Sequence, residues 1–462
     1  MIEEGFGKVT PGIVDALSKI VGAAHVSTVD ADCAQYSRDM SGHKPRRPEA
    51  IVWAGSAEEI AAVLALASEE GVPVTAWGAG TSLEGNPIPV HGGIVLSMQR
   101  MSDIVAVHEE DFQATVQPGI GYKDLNMQLS RYGLFFAPDP GANATIGGML
   151  ANNAAGIRTV RYGACKDNVL RLQVALADGR VIRCGSRSVK QASGYDLLHL
   201  FVGSEGTLGI ITEATLKLAP LPQFASAVLA SFESVETAVE AVVSLRGSGL
   251  QPVALEFMDA HHAEMLSREN DIDLAARPTL FMEFHAVDEE VLEMDLDVVR
   301  EICAYCRALE VRATADATQR RRLWQARHEA YEIAVRNHPG QEFLVVDVAV
   351  PISSYPPLVA HVEQTLDEKD MSGYMLGHAG DGNLHVLLPF ADDASYSLAQ
   401  EVNKAIVMKA IALDGTATGE HGVGIGKRQY MQAEHGESVE VMRALKRLLD
   451  PAGILNPGKV LP

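Results

Sequence analysis

A strand–helix–strand–glycine-loop series near the N-terminus constrains this chain more than any other feature. AIVWAG, Ala50–Gly55, is an apolar run of strand length, and SAEEIAAVLALASEEG after it has helical period. Ser56 and Glu59 form a capping-box pair at its start. Gly71 ends that helix, VPVTAW reads as the next strand, and GAGTSLEGNP, Gly78–Pro87, follows without regular period. This order implies α/β packing. The loop is not a P-loop, because the Gly-Lys-Ser/Thr ending is missing, and it is not GxGxxG, because position 83 is Leu. Its small residues still expose backbone N–H groups, and Thr81 and Ser82 add hydroxyl donors. That composition suits a pyrophosphate or an ordinary tight turn.

Two further segments share the pattern. TIGGMLANNAAG offers Gly147, Gly148 and Gly156 for close backbone approach, with Asn152 and Asn153 for amide hydrogen bonds. GSEGTLGII sets Gly206 and Gly209 beside a β-branched strand. Three such loops in one domain suit a large, flat, polyphosphate-bearing cofactor; taken singly, each is a turn. Between them GGIVLSM, IVAVHEED and FQATVQPGI read as strands and YKDLNMQLSRYG as a helix ended by glycine. NVLRLQVALADGRVIRCG reads as a hairpin turning at Asp178-Gly179.

The pattern changes near Pro222. ASAVLASF, a helix through SVETAVEAVVSLRGSG, and PVALEFMD give strand–helix–strand, and RPTLFMEFHA, a long helix and LEVRATAD repeat it. The expected fold is α+β, with a second, smaller domain whose antiparallel sheet carries helices on one face. Residues 1–222 form the first domain (core about 46–220), 223–414 the second, and 415–462 a C-terminal segment.

A chain of 462 residues is too long for one ordinary core. Its net charge of −22 argues against nucleic acid or anionic membrane as a partner. MIEEGFGKVT has no long apolar run, so neither a secretory signal nor a membrane span is expected, and the expected compartment is the cytoplasm. Five cysteines make no disulfide framework. Cys303 and Cys306 have redox or zinc spacing but lie in a helix-like run with no second pair, which is a structural pattern.

GHAGDGNLH, Gly377–His385, brackets a glycine loop with two histidines. LGH would end one strand and HVLLPF begin the next, so a tight turn could aim both imidazoles at one point. Hydrogen bonding and metal ligation are both open readings of such a pair. Two neutral imidazoles suit zinc, manganese or iron(II), and a carboxylate usually completes the set. Glu420 in ATGEHGVG, next to His421, is the candidate; Asp381 and Asn383 form the loop or support the ligands.

WGAGTSLEG, PDPGANATIGGMLANNAAGIRTVRYG and SGYDLLHLFVGSEGTLGIITEATLKLAP together resemble the FAD-binding domain of the vanillyl-alcohol-oxidase/p-cresol-methylhydroxylase (PCMH) flavoproteins. The C-terminal half resembles their D-2-hydroxy-acid dehydrogenase branch, which holds FAD-dependent D-lactate dehydrogenases, glycolate oxidase catalytic subunits and D-2-hydroxyglutarate dehydrogenases. The resemblance runs from about Ser37 to Leu461. It implies a PCMH-type domain of two α/β subdomains, a cap domain, and a C-terminal segment that returns to the FAD domain. Trp77, Gly78, Ala79, Gly80, Thr81 and Ser82, with Gly85 and Asn86, would cradle the FAD pyrophosphate. Pro138, Asp139, Thr145, Gly148, Asn152, Asn153 and Gly156 would line the flavin and ribityl chain. Glu205, Gly206, Gly209 and Ile210 would sit on the adenine side, and Asn456 would join the cofactor site. The first loop has no histidine or cysteine, so the FAD is expected to be non-covalent.

The resemblance further assigns His378, His385 and Glu420 as ligands of a divalent metal, zinc or manganese, and His421 as catalytic base. Oxidation of a small D-2-hydroxy acid would proceed with His421 taking the hydroxyl proton and flavin N5 the hydride. A nearby cation would keep His421 neutral and able to accept. In LWQARHEAY, Trp324, Arg327 and His328 would face substrate, Arg327 gripping the carboxylate. Read from the residues alone, Arg327 is equally a solvated helix arginine beside Arg320, Arg321 and Arg322.

Where D-2-hydroxyglutarate dehydrogenases have threonine, lysine and asparagine, this chain has Tyr331, Val345 and Leu387, which favours a monocarboxylic 2-hydroxy acid such as D-lactate over a dicarboxylate, with glycolate and larger apolar homologues open. The acceptor is open among cytochrome, quinone and electron-transfer flavoprotein, and a homodimer is allowed. A metal-dependent hydrolase using the same His/His/Glu set and a non-catalytic flavin-binding subunit are the rival classes. A nicotinamide dehydrogenase fails for want of GxGxxG.

Overall fold

The computed structural model describes residues 5–270 and 272–462. Glu3 and Glu4, the acids of the N-terminal stretch, lie outside the described residues. The chain divides into two compact units, one of Met1–Ala155, Ala164–Leu221 and Glu420–Pro462, the other of Gly156–Gly163 and Pro222–Gly419. The second boundary falls at 419/420 rather than 414/415, and the eight residues from Gly156 to Gly163 go with the second unit.

The first unit holds β1 (Val26–Ser27), β2 (Ala50–Trp53), β3 (Val74–Trp77) and β4 (Ile94–Ser97) in one sheet of order β1-β2-β4-β3. β2, β4 and β3 run parallel. Their side chains are buried almost throughout, as strands covered on both faces must be. The helix Ala57–Glu70 that links β2 to β3 buries Ile60, Val63, Leu64 and Ala67, one stripe at helical spacing. Ser56 Oγ accepts from Glu59 N at 3.2 Å, but Glu59 Oε2 returns to Gly55 N at 2.6 Å, one residue before the expected partner. Gly71, at φ 64°, closes the helix in the left-handed conformation. The C-terminal strand-like segment extends this sheet: Val74 pairs in parallel with Leu455.

The same unit contains an antiparallel sheet of β5 (Ile104–His108), β6 (Gln113–Val116), β8 (Val169–Ala175), β9 (Val181–Gly185) and β10 (Ile210–Lys217), in the order β5-β6-β10-β8-β9. β7 (Leu134–Phe135) and β11 (Ala219–Pro220) pair separately. Tyr122, Phe136, Met149, Leu172, Phe201 and Leu216 centre its core.

The second unit is built on seven antiparallel strands: β12 (Phe224–Phe232), β13 (Ala254–Met258), β14 (Thr279–Ala286), β15 (Ala308–Thr314), β16 (Glu342–Ala349), β17 (Tyr374–Gly377) and β18 (Asn383–Phe390). Their order is β15-β12-β14-β13-β17-β18-β16. Helices cover both faces, not one. Met258, Phe281, Leu376 and Leu387 pack with Leu266, Leu323, Ala326 and Ile333 of helices on one side. The alternate residues Leu255, Leu280 and Met282 are also buried, and helices Val235–Gly247 and Glu289–Tyr305 pack against the sheet. Every residue of β13 is buried, which a sheet with one wet face would not allow. Cys303 and Cys306 are buried and free of disulfides, at the end of the second of these helices.

Candidate active site

In the first unit, β3 ends at Trp77 and the chain turns into the loop Gly78–Asn86. The Trp77 ring is buried and meets Tyr36 edge-on at 5.1 Å. A Cβ on Gly78 would lie 2.2 Å from Thr145 Oγ1, and one on Gly80, at φ 70°, 2.7 Å from the Trp77 ring. Only glycine lets this loop pass so close to both the indole and the start of the helix Ile146–Asn152. Thr145 caps that helix, its Oγ1 accepting from Gly148 N at 3.4 Å. Gly78 therefore lies against the Thr145 side chain, with Ala79 and Gly148 exposed. The N–H groups of Ile146, Gly147 and Gly148 donate to Ile120 O, Pro118 O and Thr145 Oγ1, so the run Gly78–Ser82 is the one whose small residues fit a pyrophosphate.

Other residues of the cofactor set have their side chains turned into the protein. Ser82 Oγ donates to Asn86 Oδ1, and Asn86 Nδ2 donates to Glu205 Oε2 at 2.6 Å. Asn456 Nδ2 donates to the carbonyls of Asn86 (3.0 Å) and Glu205 (2.8 Å). Asp139 accepts from Tyr122 Oη at 2.6 Å next to buried Pro138. Asn153, at φ 52°, ends the 146–152 helix, and its Oδ1 accepts from Lys166 N at 2.9 Å. A Cβ on Gly209 would meet Val174 at 2.5 Å, and Ile210 is buried at the start of β10. Gly85 at φ 76° and Gly206 at φ 69° are left-handed turn positions. Gly156 belongs to the second unit. Asn152 Nδ2 donates to His421 O at 3.3 Å, in the segment that Glu420 and His421 open.

The second unit brings the two histidines together. His378 follows β17 directly, but His385 is the third residue of β18, opposite Leu376, rather than its first. A short 3-10 turn, Ala379–Asp381, joins the strands, and Gly382 completes it at φ 72°, where a Cβ would sit 2.0 Å from Val350 O. The imidazoles stand 5.4 Å apart, centre to centre, at 89°. Both rings are about nine-tenths buried.

Two acids that sequence reasoning missed stand behind them. Glu256, fully buried in β13, accepts from His378 Nδ1 at 2.9 Å through either oxygen and from Arg327 Nη2 at 2.6 Å. A carboxylate at Nδ1 makes Nε2 the nitrogen with the lone pair, the tautomer a metal needs. Asp347, fully buried in β16, lies 3.5 Å from His385 Nδ1 and accepts from Asn383 Nδ2 (2.8 Å) and Thr418 Oγ1 (2.9 Å). Asn383 thus supports the site from behind. The detectable signal was a charged residue inside an apolar strand, in VALEFMD and FLVVDVAVP; a buried carboxylate requires partners.

Arg327 is only 6% exposed, which rules out the solvated reading. LWQARHEAY spans the junction of two helices, Ala317–His328 and Ala330–Asn337. Arg327 Nε and Trp324 Nε1 are buried with no hydrogen-bond partner among the described residues. Three residues apart, they share a helix face, and such groups call for a polar ligand. His328 Nδ1 donates back to Trp324 O at 2.6 Å, within its own helix.

The glycine cradle and the buried His–Glu–Arg site, on folds of this construction, describe a two-domain flavoprotein. The chain belongs to the FAD-linked oxidase family and is an FAD-dependent oxidoreductase: residues 221–460 match the C-terminal domain of FAD linked oxidases and residues 48–185 an FAD binding domain. A zebrafish protein named probable mitochondrial D-lactate dehydrogenase is 39% identical over 455 residues, covering 97% of this chain and 91% of its own. An Arabidopsis thaliana D-lactate dehydrogenase [cytochrome] is 37% identical over 90% of this chain and 74% of its own. Glycolate oxidase subunit GlcD of Bacillus subtilis is 35% identical over 98% of this chain and 97% of its own. The solved structure of p-cresol methylhydroxylase with substrate bound shares the fold, with a TM-score of 0.79 at 16% identity, covering 98% of this chain and 97% of its own.

Proposed function

We propose that this protein oxidises D-lactate to the 2-oxo acid, with a divalent metal, zinc or manganese, held by His378, His385 and Glu420. Bound FAD would supply the two-electron oxidant and the ion a Lewis acid for the substrate hydroxyl. His421 accepts the hydroxyl proton, and Arg327 grips the carboxylate. The observation that carries this reading is Glu256, one buried carboxylate joined both to a candidate metal ligand and to a candidate substrate-binding arginine. Glu420 follows Thr418 by two residues, so it lies within about 7 Å of a residue already anchored to Asp347.

The monocarboxylic preference is supported by the apolar surroundings of Trp324. Val345 and Leu387 are paired across β16 and β18 and share an apolar cluster with Trp324 and Tyr331. A distal carboxylate there would lose its water without gaining a partner. The GlcD relative favours glycolate as the second reading. A cytochrome is our inferred electron acceptor, the class named for the Arabidopsis relative.

Anaerobic bleaching of the bound FAD tests the reading: D-lactate should act fastest, glycolate more slowly and D-2-hydroxyglutarate least. Faster bleaching by D-2-hydroxyglutarate would overturn it. Because Trp77–Pro87 offers neither histidine nor cysteine, acid precipitation should leave all flavin in the supernatant. Yellow colour remaining in the washed pellet would refute a non-covalent cofactor.

A further inference from the structure

Glu205 accepts three hydrogen bonds at its carboxylate and has an unfavourable backbone. Its φ of 51° is in the left-handed region, where a non-glycine residue is strained. Its side chain is buried, and burial pushes the carboxyl up while the groups donating to it pull the other way. Val423 N donates to Oε1 at 2.6 Å, Gly424 N to Oε2 at 2.9 Å, and Asn86 Nδ2 to Oε2 at 2.6 Å. One carboxylate thus closes the turn that Glu420 and His421 begin and ties it to the first glycine loop through Asn86.

The turn is shaped around that carboxylate. Gly422 sits at φ 81°, and a Cβ there would meet Glu205 Oε1 at 2.9 Å and Asn86 Nδ2 at 2.8 Å. Gly424 sits at φ 46°, with its would-be Cβ 2.1 Å from Glu84 O. Asn152 Nδ2 holds His421 O at 3.3 Å.

We propose that Glu205 is a positioning residue, whose carboxylate fixes the Glu420–Gly424 turn and with it the directions of the Glu420 carboxylate and the His421 imidazole. This rests on His421 being the base, as proposed above. Glutamine cannot replace it, because one face would then present an NH2 group to a backbone N–H. Aspartate is shorter by a methylene and could not span the same donors.

The test compares the holoenzyme with Glu205→Gln and with Glu205→Gly, the second relieving the backbone strain so that folding is protected. Both should speed amide hydrogen exchange across residues 420–426. Both should slow D-lactate-driven bleaching of FAD about 10- to 100-fold, the scale of a misplaced reacting group. The rate is read on the flavin-loaded fraction, because Asn86 joins Glu205 to the first glycine loop and loss of that carboxylate acts on FAD affinity separately. Unchanged exchange, or weakened FAD binding with an unchanged rate for the flavin-loaded fraction, would overturn the proposal. If the wild type bleaches with no D-2-hydroxy acid, the reading of His421 fails, and the exchange measurement alone decides the clamp.

Discussion

Glu256→Ala should cost about 3–5 kcal/mol of stability and lower metal affinity about 10- to 100-fold. Both effects come from one carboxylate. Glu256 is fully buried between Arg327 Nη2 at 2.6 Å and His378 Nδ1 at 2.9 Å. Truncation strands a guanidinium that is itself only 6% exposed, and an uncompensated buried charge is the larger penalty. It also removes the acceptor that selects the Nδ1–H tautomer of His378, so Nε2 no longer carries the lone pair by default.

The two contributions separate in the double variant. Glu256→Ala with Arg327→Met removes both charges, so its loss of stability should be smaller than that of Glu256→Ala alone. Metal affinity should not recover, because methionine cannot orient an imidazole. Urea denaturation measures the first quantity, and zinc or manganese retained after dialysis against a chelator measures the second. Wild-type metal retention in Glu256→Ala would remove Glu256 as the support of His378. A double variant no more stable than the single would mean that Arg327 is not the stranded charge.

The partnership behind this prediction was only half legible in the sequence. An acid within an apolar strand announces a buried carboxylate, but its partners lie 71 and 122 residues away and are chosen by sheet order. The histidine pair was legible because glycine and aspartate punctuate GHAGDGNLH. The depth of His385 inside β18 was not, since its pairing with Leu376 sets it. The need for glycine at 78 and 80 could be read as close backbone approach. That Thr145 and Trp77 impose it is a fact of tertiary structure. The helices on the sheet's second face were missed for a definable reason. Antiparallel sheets often keep one wet face, whereas Ala254, Leu255, Phe257 and Met258 put apolar side chains on both faces of β13, the sign of burial on both. Glu205, Asn86 and Asn456 entered through the family resemblance alone, and the direction of their side chains, towards one another, is set by three segments meeting in one unit.

His421→Ala should slow D-lactate-driven bleaching of FAD about 10²- to 10⁴-fold, the range of a lost general base, with FAD and metal both retained. Cofactor retention is expected because the proposed pyrophosphate contacts are backbone groups of Gly78–Ser82, not the His421 side chain. Metal retention separates a base from a ligand. His378→Ala is the contrasting variant: it removes an imidazole whose Nδ1 is already held by Glu256, so metal and turnover should be lost together. Three measurements on each purified variant suffice: flavin content by absorbance, metal content by elemental analysis, and the anaerobic reduction rate in a stopped-flow instrument. Loss of metal from His421→Ala would reassign His421 as a ligand, and an undiminished reduction rate would remove it from proton transfer. Restoration of the rate by added imidazole, with the metal content unchanged, would place the missing function in the ring nitrogen itself, because a small diffusible base can replace a proton acceptor but cannot replace a bond that anchors the chain.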